Sequence, residues 1–174
     1  FHESDPSGIL AHQLERDAGL GTDDRFMWIL DTFRDGRTGY FFEINPAGLM
    51  GDGLMGGGGG GGGGINKRWD GIWEVRTRIL PHGWSAEIRI PFTTLNFNPD
   101  QDSWGINFQR TIRRRNEEIL WRGWRRNESL FQPVHAGELR GLRDISQGVG
   151  VEVKPYLLAQ GNQAPQVGPS WGTE

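Results

Sequence analysis

Residues 26–48 read FMWILDTFRDGRTGYFFEINPAG: two runs rich in aromatic and β-branched residues flank a polar turn, Arg34-Asp35-Gly36-Arg37-Thr38-Gly39. Asp-Gly between apolar runs is a hairpin signal, because glycine accepts the positive φ that tight turns need. Successive side chains of a strand point to opposite faces. On the first arm Phe26, Trp28 and Leu30 therefore share one face, and Met27, Ile29 and Phe33 share the other with Asp31 between them. On the second arm Tyr40 and Phe42 alternate with Phe41. Both faces are apolar, so the hairpin belongs in the middle of the fold, covered on both sides. Asn45-Pro46 ends the ladder, since proline has no N–H to give. Strands over 26–33 and 39–44 are thus expected as the central pair of an all-β, antiparallel, two-layer β-sandwich of jelly-roll type.

Downstream, residues 72–80 (IWEVRTRIL) set Trp73, Val75, Thr77 and Ile79 against Ile72, Glu74, Arg76 and Arg78, one face buried and one mainly wet. After the turn Pro81-His82-Gly83, residues 84–90 set Trp84, Ala86, Ile88 and Ile90 against Ser85, Glu87 and Arg89. These runs make a hairpin whose outer charges pair across the strands. Residues 92–97 read as a short helical turn. Residues 104–113 form a strand with Trp104, Ile106, Phe108 and Ile112 inward, partnered by 117–121. Shorter strand candidates are 139–145 and 149–158; residues 122–138 lack alternation and read as loop. Helix is expected in less than roughly 15% of residues.

Upstream, Ser4-Asp5-Pro6-Ser7 offers a helix start, with Ile9, Leu10 and Leu14 on one stripe and Gly19 and Gly21 as stops. Residues 48–66 read as one long loop containing nine consecutive glycines, 56–64. Such a tract is a flexible insertion or a stand-in for residues of unestablished identity. The expected organisation is a sandwich over 1–145, followed by a junction strand and a Gly-, Asn-, Gln- and Pro-containing tail over 146–174.

At 174 residues a single domain is the default. A formal charge of −3 and a pI near 5.8 argue against a nucleic-acid footprint. The absence of cysteine excludes disulfides, thiolate zinc sites and cysteine nucleophiles. The four histidines, at 2, 12, 82 and 135, lack metal-ligand spacing. No apolar run approaches the roughly 20 residues that span a bilayer. Signatures of serine hydrolases, phosphate-cradling loops and zinc proteases are missing, and Glu74 and Glu87 read as structural charges among arginines, so no enzyme is expected. A start at Phe1, without Met or a signal n-region, reads as a mature or truncated product, with Phe1 as the tail of a strand.

Four blocks in order, TDDRFMWILDTFRDGRTGYFFEINPAG, WDGIWEVRTRI, GWSAEIRIPF and WGINFQRTIRRRNE, resemble the carbohydrate-binding-module family 9-like domain near the N-terminus of large bacterial envelope proteins. The resemblance covers residues 1–143. It implies a sandwich whose first strands precede Phe1, a periplasmic or cell-surface location, and a non-enzymatic, carbohydrate-directed role. A second reading is a structural accessory subunit docked on other protein chains of a bacterial envelope or membrane complex, for example respiratory or photosynthetic. It would have no small-molecule ligand.

A sugar site needs an indole face to stack on a pyranose and polar groups to hold its hydroxyls. Trp69 with Asn66 and Asp70 is one candidate; Trp121 and Trp124 with Arg122 is the other. Oxygen-rich loops suit Ca²⁺, and the candidates for a structural calcium are Asp23, Asp24, Asp31 and Asp35, although their spacing matches no EF-hand. The basic run Arg110, Arg113, Arg114 and Arg115, with Arg122, Arg125 and Arg126, reads as a solvated face paired with glutamates, or as a contact for anionic partners.

Overall fold

Strands β1 (Arg25–Asp31) and β2 (Gly39–Ile44) form the expected hairpin, in antiparallel register from Phe26↔Ile44 to Leu30↔Tyr40. The computed structural model describes residues 1–3, 5–56, 64–123 and 125–148. Beyond the hairpin lie β3 (Met50–Met55), β4 (Ile65–Asn66), β5 (Glu74–Leu80), β6 (Gly83–Arg89), β7 (Ser103–Ile112), β8 (Glu117–Leu120) and β9 (Gly137–Arg140). A seven-stranded sheet runs β4-β3-β2-β1-β7-β8, with β9 also on β7, and β5-β6 forms a second, two-stranded sheet. Every pairing is antiparallel. Since β1 occupies one edge of β7, its other edge is shared: β8 pairs residues 109–112 and β9 pairs 103–106. Helix among the described residues is confined to four 3₁₀ turns of three residues each. None is long and apolar enough to cross a membrane.

The core confirms that β1 and β2 are covered on both faces. Trp28, Leu30, Tyr40, Phe42 and Ile44 pack with Trp73, Trp84, Leu95, Phe97 and Trp104 between the sheets. Trp28 stacks on Phe42 with centroids 5.2 Å apart and meets the edge of Trp73 at 5.7 Å. On the opposite face Met27, Ile29, Phe41 and Met55 are closed over by Leu130, which is fully buried. Of the expected core residues Trp73, Trp84 and Trp104 are buried, while Ile88 and Phe108 are half-buried against the same cluster. Ile79, expected inward, is 54% exposed. Its strand is the edge of a two-stranded sheet, whereas its cross-strand neighbour Trp84 is covered by Phe1 stacked at 4.0 Å.

Three expectations fail for identifiable reasons. The loop expected over 48–66 contains β3 and β4. MGDGLM has low strand propensity, but its glycines serve close approach: a Cβ on Gly53 would lie 2.5 Å from the Ile65 side chain. Near the N-terminus only Pro6–Gly8 is helical, a single 3₁₀ turn capped by Asp5, and Leu14 is 75% exposed. The rest of that segment is held by Asp23, which accepts from the N–H groups of His12 and Gln13. Finally, the strand candidate at 139–145 is realised earlier, as β9. The candidate at 149–158 lies outside the described residues.

Candidate functional site

Where β8 ends, Trp121 leaves the sheet edge with its N–H donated to the Phe108 carbonyl at 2.9 Å. Its ring tilts against Phe108, centroids 5.5 Å apart, and rests on Gly137 of β9. A Cβ at Gly137 would come within 2.5 Å of that ring, so glycine provides the seat. The indole is nevertheless 52% exposed. The next residue is clamped from inside the sheet. Asn107, fully buried on β7, donates to the Arg122 carbonyl at 3.0 Å and accepts from its N–H at 3.1 Å. Gly123 then turns the chain at φ +82°, close beneath Glu128 and His135. Glu128 accepts from the Arg125 N–H at 3.2 Å and lies 3.8 Å from His135 Nδ1. Trp121, Arg122, Arg125, Glu128, Val134 and His135 thereby line one cleft of about 540 Å³. Of the sequence candidates, Trp121 and Arg122 come together here; Trp124 lies outside the described residues.

The other sugar candidate disperses. Trp69 is half-buried, tilted on Tyr40 at 4.9 Å and edge-on to Phe42 at 6.1 Å, so it closes the rim of the inter-sheet core. Asn66, but neither Trp69 nor Asp70, lines a mostly apolar groove of about 510 Å³ with Phe33, Tyr40, Leu54, Met55 and Asn96. Asp70 instead approaches Arg16 at 3.7 Å.

The calcium candidates do not form one site. Asp23 and Asp24 precede β1, whereas Asp31 ends it and Asp35 follows, about 20 Å away at the usual rise of a strand. Their oxygens serve the backbone instead. Asp23 accepts from His12, Gln13, Asn45 and Thr22, and Asp24 from the Arg113 N–H at 2.7 Å. Asp31 accepts from the N–H groups of Asp35 and Gly36, and Asp35 from Arg37 and Thr38, which folds the hairpin turn. Burial pushes the Asp23 carboxyl up, but its hydrogen bonds outweigh burial and hold it below the usual range. Asp31 is pushed up, chiefly by burial.

Carboxylates that do converge are Asp17, Asp52 and Asp70, with one oxygen of each within 4.8 Å of the others. A cation already lies against them: Arg16 donates to Asp52 at 2.6 Å and sits 3.7 Å from both Asp17 and Asp70. Asp52, fully buried, also accepts from Trp73 Nε1 at 2.6 Å and the Gly71 N–H at 3.1 Å. Burial pushes its carboxyl above the ordinary value, with Trp73 and Arg16 opposing.

The basic run is largely spent inside the molecule. Arg110 and Arg114 both pair with buried Glu3, the second at 2.5 Å, and Arg115 lies 3.6 Å from Glu117. On the β5–β6 hairpin Glu74 faces Arg89 at 3.7 Å and Glu87 faces Arg76, so each carboxylate lies opposite an arginine.

No protein-family model matches the sequence, and no curated protein matches it. Among solved structures the chain is similar to a carbohydrate-binding module of family 9 from Caldicellulosiruptor kristjanssonii in complex with cellotriose. The TM-score is 0.52 at 19% identity, over 87% of this chain and 71% of that one. The chain therefore has the fold of a family 9 carbohydrate-binding module, an all-β sandwich.

Proposed function

We propose that this chain is a non-catalytic carbohydrate-binding module of the bacterial cell envelope and that its site is the Trp121 cleft. The observation that carries the reading is a half-exposed indole, seated on glycine, beside which Arg122, Arg125, Glu128 and His135 converge. An apolar platform with polar groups around it is what a pyranose requires. The fold shared with a cellotriose-bound module supports the same reading. Isothermal titration with cellotriose and xylotriose tests it: binding is expected in the wild type and lost in Trp121→Ala. Binding that survives Trp121→Ala but disappears in Trp69→Ala would place the site elsewhere and overturn the assignment.

Docking on a larger membrane complex is the second reading. It draws on the exposed apolar residues Trp121 and Val134 of the same cleft and Ile119 of β8, next to arginines, the residue types that interfaces enrich. A flat response to every saccharide, together with co-purification with membrane chains, would favour it.

A further inference from the structure

We infer that the Trp121 cleft selects an anionic saccharide, one whose ring carries a carboxylate or a sulfate. The inference rests on the carbohydrate reading above and concerns which sugar the site accepts. A neutral glycan is held by hydroxyls that both donate and accept, so its sites need acceptor side chains facing the ring. Among the described residues the single carboxylate lining this cleft is Glu128, and it is engaged from both sides. Its Oε2 accepts from the Arg125 N–H at 3.2 Å, and its Oε1 lies 3.9 Å from Arg125 Nε and 3.8 Å from His135 Nδ1. Only 12% of its side chain is exposed.

The cations are arranged in the opposite sense. The Arg122 backbone is fixed by two hydrogen bonds to buried Asn107, while its exposed side chain has no hydrogen bond or ion pair among the described residues. Most other arginines near the ends of β7 and β8 are neutralised, Arg110 and Arg114 by Glu3 and Arg115 by Glu117. The cleft thus holds Arg125 ion-paired with Glu128 and, beside that pair, the guanidinium of Arg122, one positive charge in excess on a chain with a formal charge of −3. A guanidinium on a fixed backbone offers a planar fork that matches the two oxygens of a carboxylate or sulfate. Trp121 supplies the stacking face immediately beside it.

The experiment compares cellotriose, a galacturonic acid trimer and a sulfated heparin-derived oligosaccharide on the whole chain, by titration calorimetry at 20 mM and 300 mM salt. Thermal unfolding of each variant checks that it is folded. At least one acidic ligand is expected to bind about tenfold more tightly than cellotriose at low salt, the scale of one charge-assisted contact. The preference should shrink at high salt and fall towards unity in Arg122→Gln, with Arg122→Lys intermediate. Which acid gains more separates carboxylate from sulfate recognition. Equal or tighter binding of cellotriose overturns the inference and leaves the carbohydrate reading standing, as does an Arg122→Gln that weakens all ligands equally. Acid binding that is lost in Arg122→Gln but unchanged in Trp121→Ala would mark a simple anion patch and overturn the carbohydrate reading. No binding by any ligand overturns both.

Discussion

Two tryptophans of the same core should respond very unequally to the same substitution. Trp73 and Trp84 are 5% and 1% exposed, so Trp→Phe removes similar packing at either position, about 1–2 kcal/mol. Their N–H groups differ. Trp73 Nε1 donates to the buried Asp52 carboxylate at 2.6 Å, and losing a hydrogen bond to a charged acceptor costs a further 1.5–3 kcal/mol or so. Trp84 Nε1 is buried without a partner among the described residues, so deleting it relieves a desolvation penalty of about 1–2 kcal/mol that offsets the lost packing. Trp73→Phe is therefore expected to cost about 2.5–5 kcal/mol and Trp84→Phe to change stability by no more than about 1 kcal/mol. Urea unfolding followed by far-UV circular dichroism measures both, provided the m-values agree. The Trp73→Phe deficit should also depend on pH. Asp52 already has a raised carboxyl pKa in the fold, and removing one of its donors raises it further. Below about pH 3.8 the group is neutral folded and unfolded, so the extra penalty is absent there and develops as pH rises through the folded value. Equal costs for the two variants, or a Trp73→Phe deficit larger at pH 3 than at pH 7, would refute the argument.

Asp23 should behave with the opposite sign. Its folded pKa is lowered, so it contributes stability above the unfolded value that is lost as pH falls through the folded one. Asp23→Asn should lower stability by about 2 kcal/mol at pH 7 and flatten the acid limb of a Tm-against-pH curve. Gly137→Ala should leave Tm within a few degrees of the wild type, since it lies on a half-exposed edge strand. The added methyl displaces the Trp121 ring from its seat, and calorimetry should show saccharide affinity falling at least about fivefold, an ordinary loss for a misplaced aromatic contact.

The fold was legible wherever period-two alternation was strong. Both arms around Asp35-Gly36, the β5–β6 hairpin and β7 lie where the alternation puts them, because aromatic and β-branched residues mark a pleated, buried surface. β3 was illegible because glycine and aspartate occupy its centre. There Gly51 and Gly53 admit neighbouring side chains, and Asp52 binds Arg16 and Trp73 from segments that no local pattern connects. Half of the candidate site could be read directly: Trp121 beside Arg122 is a stacking face beside a cation. Its remainder, Glu128, His135 and Gly137, arrives through turns without periodicity. Asn107 left one visible trace, a polar residue in the run WGINF that would otherwise be unexplained in a strand interior. The acidic residues proposed for calcium are close in sequence but do different work at the two ends of β1: Asp23 and Asp24 tie in distant segments, and Asp31 and Asp35 fold the hairpin turn.

The junction between β3 and β4 has a consequence for protein engineering. Met55 pairs directly with Ile65, so the ends of the glycine tract are fixed beside one another by the sheet itself. The cost of closing a loop between fixed ends grows only logarithmically with its length, about 0.6 kcal/mol for each doubling. Chain length at this position is therefore nearly decoupled from folding free energy. A fluorophore-bearing peptide or an affinity tag placed there would extend a connection that the sheet has already closed, on the side of the molecule where Asn66 and Phe33 line the apolar groove.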